Sequence, residues 1–129
     1  MISLKATELL AEYVGELAQT GLPGWERIVN YDEFLRDRED DYVQARAMSE
    51  CWGSGIRSLD YVTSFAAEQA AAAFFVQCES EGEEWSGLLL EIDRTGRYRS
   101  HFFYNSTPLI DGDYPLAEAR LAQGVPASS

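Results

Sequence analysis

Trp85-Ser86-Gly87-Leu88-Leu89-Leu90-Glu91-Ile92-Asp93-Arg94-Thr95-Gly96-Arg97-Tyr98-Arg99-Ser100-His101-Phe102-Phe103-Tyr104 is the stretch that decides the fold class of this chain. Leu88, Leu90 and Ile92 alternate with Leu89 and Glu91. After Arg94-Thr95-Gly96 a second alternation sets Tyr98, Ser100, Phe102 and Tyr104 against Arg97, Arg99, His101 and Phe103. Strand side chains point to opposite faces in turn, so a period of two on both sides of a glycine turn predicts a β-hairpin. Gly96 takes the turn position that needs positive φ, where a Cβ would collide with the backbone.

Outward from this hairpin the period changes. From Ser58 to Glu79 the pattern is helical, with Val62, Phe65, Ala66, Ala73 and Val76 near one face and the strong helix formers Ala70 to Ala73 in its middle. Further upstream, Tyr42–Met48 and Trp25–Leu35 read as two antiparallel strands, with Trp25, Val29 and Tyr31 on one parity and Ile28 and Phe34 on the other. Cys51-Trp52-Gly53-Ser54-Gly55-Ile56 reads either as a turn or as a short third strand broken by glycines. At the start, Leu9, Leu10, Tyr13, Val14, Leu17 and Ala18 recur at helical steps. Ser3 or Thr7 is placed to cap that helix, and Gly21 with Pro23-Gly24 to end it. After Pro108 the chain reads as loop, then a short helix over Pro115–Leu121.

The order of elements predicts an α+β fold: an antiparallel β-sheet with the N-terminal helix and the central Ala-rich helix packed mainly on one face. Residues 1–122 are read as a single α+β domain and residues 123–129 as a short flexible C-terminal tail. A chain of 129 residues with 46 % apolar content can bury a core without metal or disulfides.

Twenty-two acids against ten bases leave a net charge of −12. Such a surface repels phosphate, which predicts no direct nucleic-acid partner and no anionic membrane surface, and it favours basic protein partners. The most apolar run, Ala70 to Val76, is far short of the ~20 residues of a membrane span. The start, Met1-Ile2-Ser3-Leu4-Lys5, shows no basic stretch followed by an apolar run. The expectation is a cytoplasmic protein, with Cys51 and Cys78 standing apart as free thiols.

The residues of chemistry are scattered. His101 is the only histidine, lies on the strand parity opposite Phe102 and Tyr104, and has no nucleophile motif beside it. Asp111-Gly112-Asp113 lacks the further oxygen ligands of a calcium loop and reads as a tight turn on Gly112. Gly53-Ser54-Gly55 is too short for a dinucleotide turn. No catalytic residue, metal or cofactor is expected. What remains are two acid-rich stretches, Asp32 to Asp41 and Glu79 to Glu84. They read as solvated loops, or as an electronegative surface for a basic partner. On the second reading the partner-binding candidates are Asp37, Glu39, Asp40, Asp41, Tyr42, Trp52, Glu81, Glu83 and Glu84, because aromatic anchors beside charge make better interfaces than charge alone.

The Trp85–Tyr98 stretch, running into Phe102-Phe103-Tyr104-Asn105, resembles the signature hairpin of the YezG-like antitoxin and immunity family. The likeness lies in a Trp, an alternating apolar strand, a D-x-x-G-type turn, a basic–aromatic pair and an aromatic-rich strand. Pro23-Gly24-Trp25-Glu26-Arg27-Ile28 after the amphipathic helix is similar to the family's P-x-x-W strand start. The order of elements agrees over roughly residues 4 to 110, the letters only in these two places. Where family members often end the last strand on a Tyr-Asp-Asp type sequence, this chain has Tyr104-Asn105-Ser106. The resemblance implies an immunity protein that binds and neutralises a cognate bacterial toxin, often a nuclease, by stoichiometric association. It carries over no catalytic residues. Two other classes fit the composition: an acidic non-catalytic adaptor or structural partner, and a small hydrolase built on scattered carboxylates. The oligomeric state is open.

Overall fold

The computed structural model describes residues 2–53, 56–59 and 63–125, with 56–59 described by their backbone alone. Five antiparallel strands form one sheet in the order β3-β2-β1-β4-β5, from β1 (Arg27–Asp37), β2 (Tyr42–Gly53), β3 (Ile56–Leu59), β4 (Gly87–Asp93) and β5 (Tyr98–Phe103). Helices α1 (Leu4–Gln19) and α2 (Phe65–Ser80) cover one face; α3 (Pro108–Asp111) and α4 (Tyr114–Gln123) lie on the other.

The central strand β1 explains the layers. Ile28 and Phe34 turn towards α1 and α2, while Val29 and Tyr31 turn towards α4, as their parity in the sequence predicts. Trp25, expected on the Val29 face of the strand, precedes β1 and packs with the Ile28 and Phe34 core instead. Both faces of this strand are covered, so seven consecutive residues from Ile28 to Phe34 are buried. The larger core gathers Leu10, Tyr13, Leu17, Phe74, Phe75, Trp85, Leu88 and Leu90. Phe75 stacks on Phe34 with ring centres 4.8 Å apart, and Trp85 packs edge-on against both. The smaller core joins Val29, Tyr31 and Leu89 to Ala117, Leu121 and Val125.

The cap residues set the helix starts. Ser3 Oγ accepts from the Ala6 N–H at 3.1 Å, and Ser64 Oγ from the Ala67 N–H at 3.0 Å. The expected helical start at Ser58 is therefore corrected. Ser58 and Leu59 pair with Cys51 and Glu50 as β3, and α2 begins only at Phe65. Its buried face is also different from the expected one. Ala67, Ala71, Phe74, Phe75 and Cys78 point inwards, while Phe65, Ala66, Ala73 and Val76 are exposed, and Val62 lies outside the described residues. A helix apolar on several sides offers periodicity no unique answer; packing against Phe34 and Trp85 chooses the face.

Strand β2 runs five residues beyond Met48, and Gly53 fits there because a Cβ would come within 2.8 Å of the Gly24 carbonyl oxygen. Gly96 has φ +90° in the β4–β5 turn, and Gly112, at φ +87°, closes α3 before Asp113 caps α4. The stretch after Pro108, read as loop, holds α3, and α4 is longer than Pro115–Leu121 at both ends. Gln123 belongs to α4, and Val125, in the segment read as tail, is buried. Cys51 and Cys78 are both buried free thiols. No described helix is long and apolar enough to cross a membrane.

Candidate functional site

Strand β4 pairs with β1 only as far as Glu33↔Gly87, so Leu35–Asp37 and the matching start of β2 continue past the sheet as a two-stranded arm. The arm turns through Arg38–Asp41. Asp37 Oδ1 accepts from the N–H groups of Glu39 at 2.9 Å and Asp40 at 3.1 Å, and Asp41 takes a positive φ of 53°.

Alternation puts Arg36 on the α2 side of this arm. Its Nη2 donates to Glu79 Oε1 at 2.6 Å, its Nε to Glu79 Oε2 at 3.1 Å, and Nη1 lies 3.4 Å from Asp41 Oδ1. One guanidinium thus draws the end of α2 to the hairpin tip, and the two acid-rich stretches share one end of the molecule. Its hydrogen bond holds the Glu79 carboxyl below the usual carboxylate range. Glu39, Asp40, Asp41 and Glu84 are exposed there; Asp37 and Glu83 are half-buried.

Apolar surface accompanies the charge. Leu35 is 44 % and Tyr42 49 % exposed on the arm. Together with Arg36, Asp37, Arg38 and Gln44 they border a shallow recess of about 410 Å³. A second recess of about 240 Å³ lies between Arg36, Glu79, Glu83, Glu84 and Trp85.

Two of the sequence candidates sit elsewhere in role or place. Glu81 accepts from Ser3 Oγ and Gln77 Nε2, each at 2.5 Å, and so clasps the start of α1 to the end of α2. Gln77, with Ser3, holds its carboxyl below the ordinary range. Trp52 lies at the far end of β2 from Tyr42, about 33 Å away at ~3.3 Å per residue. There Arg27 covers its ring at 5.7 Å and its Nε1 donates to Glu50 at 3.3 Å. Arg36 and Leu35, missed in the sequence reading, border the same recess as Asp37 and Tyr42. The signal for Arg36 was a lone base on the same strand parity as the core residue Phe34.

The opposite end of the sheet mixes both signs of charge. Arg27, Arg97 and Arg99 line an open cleft of about 920 Å³ with Glu26, Glu91 and Asp93. Glu91 pairs with Arg27 at 2.7 Å and with Arg99, so this charge is largely spent inside the protein. Along the strands, an acidic end thus stands opposite an end of mixed and largely paired charge.

Two buried carboxylates lie between these ends. On the α1 face, Asp32 accepts from the Tyr13 hydroxyl and, at 2.8 Å, from Asn30 Nδ2, while Ser49 donates to Asn30 Oδ1. Burial pushes the Asp32 carboxyl up to about 7, against the lowering effect of Tyr13 and Asn30. On the α4 face, Glu33 accepts from the Tyr31 hydroxyl at 2.5 Å and from the N–H groups of Leu109 and Ile110 at 2.9 and 2.8 Å. Strand alternation sends these neighbours to opposite faces, so they do not converge as a catalytic pair. Asp32 lines neither recess of the acidic end nor the arginine-lined cleft. Among the described residues no group of three His, Cys, Asp or Glu is placed to hold a metal ion. His101 is half-buried and packs edge-on against Phe103 at 4.8 Å.

In comparisons with known proteins, no family model matches this chain and no curated protein matches it.

Proposed function

We propose that this protein is an inhibitor of the immunity or antitoxin kind, which binds a cationic protein toxin stoichiometrically through the acidic end of its sheet. The observation that carries the reading is the Arg36 junction. It holds Asp37–Asp41 and Glu79–Glu84 together beside the exposed Leu35 and Tyr42. Charge of one sign gathered at one end steers an oppositely charged partner and raises association rates by ~10- to 1,000-fold at low salt. The adjacent apolar surface supplies what charge alone lacks, an anchor that slows dissociation. The YezG-like features of Trp85–Tyr98 and Pro23–Ile28 support the same reading, and a nuclease, whose substrate-binding surface is basic, is the toxin class that fits the charge best.

The test is to express the reading frames that flank this gene and to titrate a toxin domain found there with this protein. Toxin activity should fall linearly to zero at a fixed molar ratio, with a complex of that ratio in sedimentation. Undiminished toxin activity in the presence of excess protein would refute the proposal, and turnover of the toxin by catalytic amounts would point to an enzyme instead.

A further inference from the structure

We infer that the outer edge of β2, from Tyr42 to Ser49, is a docking edge at which an extended segment of a cationic protein joins the sheet as an added strand. The identity of the partner as a toxin rests on the proposed function; the edge itself rests on the register.

Among the described residues, β3 covers Glu50 to Gly53 of β2. The direction of the remaining backbone groups follows from a single bond. The Phe34 N–H donates to the Ser86 carbonyl at 2.9 Å, on the β4 side of β1. Backbone groups alternate along an antiparallel strand, so the odd-numbered residues of β1 turn theirs towards β2. Their partners there are Tyr42, Gln44, Arg46 and Met48, opposite Asp37, Leu35, Glu33 and Tyr31. Val43, Ala45 and Ala47 therefore aim N–H and C=O outwards. No described residue bonds to those groups, and Ala45 and Ala47 are exposed.

An extended chain laid along this edge gains main-chain hydrogen bonds in both directions. Half of its side chains would lie beside Tyr42 and Gln44, which border the 410 Å³ recess. The other half would lie beside Val43, Ala45 and Ala47, whose small size leaves room.

Charge selects the occupant. Tyr42 to Ser49 holds no acid and one base, Arg46, while Asp37, Glu39, Asp40 and Asp41 stand just beyond its Tyr42 end. A fitting strand is uncharged along its middle and basic where it passes Tyr42. At the outer edge of β5, Arg97 and Arg99, with side chains 83 % and 48 % exposed, are paired with Asp93 and Glu91, so the acids there are already matched by bases. A second copy of this chain would bring two molecules of charge −12 together.

The experiment pans displayed random peptides of about eight residues, the length of a common strand, against the whole protein, then follows amide exchange with each selected peptide. Val43, Ala45 and Ala47 should exchange fast in the free protein and slowly in the complex, whereas Gln44 and Arg46 should be protected in both. The peptides should be enriched in Lys or Arg at one end. Ala45→Pro deletes one outward N–H, a change an edge strand tolerates, and should weaken binding about tenfold or more. If that variant fails to fold, the exchange pattern of the unsubstituted protein decides alone. Recovery of no such peptide, peptides without a basic bias, protection elsewhere, or a free protein that sediments as a dimer with these amides already protected would overturn the inference. A toxin neutralised while the three amides still exchange fast would overturn the edge and leave the inhibitor standing. Cationic strands bound at the edge of a protein that neutralises no toxin would do the reverse.

Discussion

Arg36 grips Glu79 with two hydrogen bonds, at 2.6 and 3.1 Å, across 43 positions of chain. Both side chains are about a quarter exposed, so the pair is neither a freely solvated surface contact nor a buried charge. Its consequence is geometric. Two negative loops that would repel one another are held side by side, and the arm carrying Leu35 and Tyr42 is fixed against α2.

Replacing Arg36 with Met separates steering from positioning. The variant is more negative, so association with a cationic toxin should not slow, while the loosened arm should speed dissociation and expose its tip amides to faster exchange. The Glu79 carboxyl, lowered by Arg36, should titrate closer to its ordinary range. A lowered carboxyl stabilises the fold above its unfolded value, and that contribution is lost as pH falls through its folded value; in Arg36→Met this acid-side loss should shrink. Stopped-flow binding and NMR titration check both halves.

Neutralising Asp37, Asp40 and Asp41 together by asparagine should act mainly on the association rate, because rim charges steer encounter. Asparagine at position 37 keeps a carbonyl oxygen that can accept from the tip amides, so the turn should survive. The effect should fade as salt rises and the Debye length drops below ~8 Å. Tyr42→Ala should instead speed dissociation, with about 2 kcal/mol lost if the ring is an anchor. Association that is indifferent to salt and to the triple substitution would leave the charge a role in solubility alone.

Asp32 makes stability depend on pH in the direction opposite to most carboxylates. Its folded value is raised from 3.8 to about 7, so its contribution is fully present below 3.8 and lost as pH rises through about 7. At ~1.4 kcal/mol per unit the loss between pH 5 and 7.5 is about 2–3 kcal/mol. Asp32→Asn keeps an acceptor for Tyr13 and Asn30 and cannot ionise. Urea denaturation of the variant should lose this slope, and the variant should be the more stable protein at pH 8.

Arg120 ties α4 to the sheet. It donates to the Tyr31 hydroxyl at 2.8 Å and to Ser106 Oγ at 2.6 Å, and lies 4.3 Å from the centre of the Phe103 ring. Arg120→Ala should cost about 2–3 kcal/mol, the sum expected for charge-assisted hydrogen bonds and a cation–π contact. Faster exchange should be confined to α3 and α4, leaving α1 and α2 unchanged.

Much of the architecture was legible along the chain. The β4–β5 hairpin and its Gly96 turn, the first helix, and the two faces of β1 all follow from periods of two and of three to four, which depend only on neighbours in sequence. The choice of Ser3 over Thr7 as the cap came from the structure. The reading failed where local pattern was ambiguous. Residues 58–59 joined a helix in the reading and a strand in the fold, and α2 turned Ala67, Phe74 and Cys78 inwards rather than Phe65 and Val76. Among the site candidates, Asp37, Glu39, Asp40, Asp41, Tyr42, Glu83 and Glu84 lie together at the acidic end. Glu81 lies near the same end as a clasp on α1, and Trp52 lies at the other end of β2.

The amino-acid sequence by itself determined the α+β class, the antiparallel hairpins and the large negative charge, since each is a sum or a short-range repeat of residue properties. Only the tertiary structure decided that the two acidic stretches share one end, that Asp32 and Glu33 are buried on opposite faces, and that among the described residues β3 pairs with just the Glu50–Gly53 end of β2. Those facts depend on which distant segments meet. Packing and register set them, through contacts such as Arg36 with Glu79 whose partners are unrelated by any local pattern.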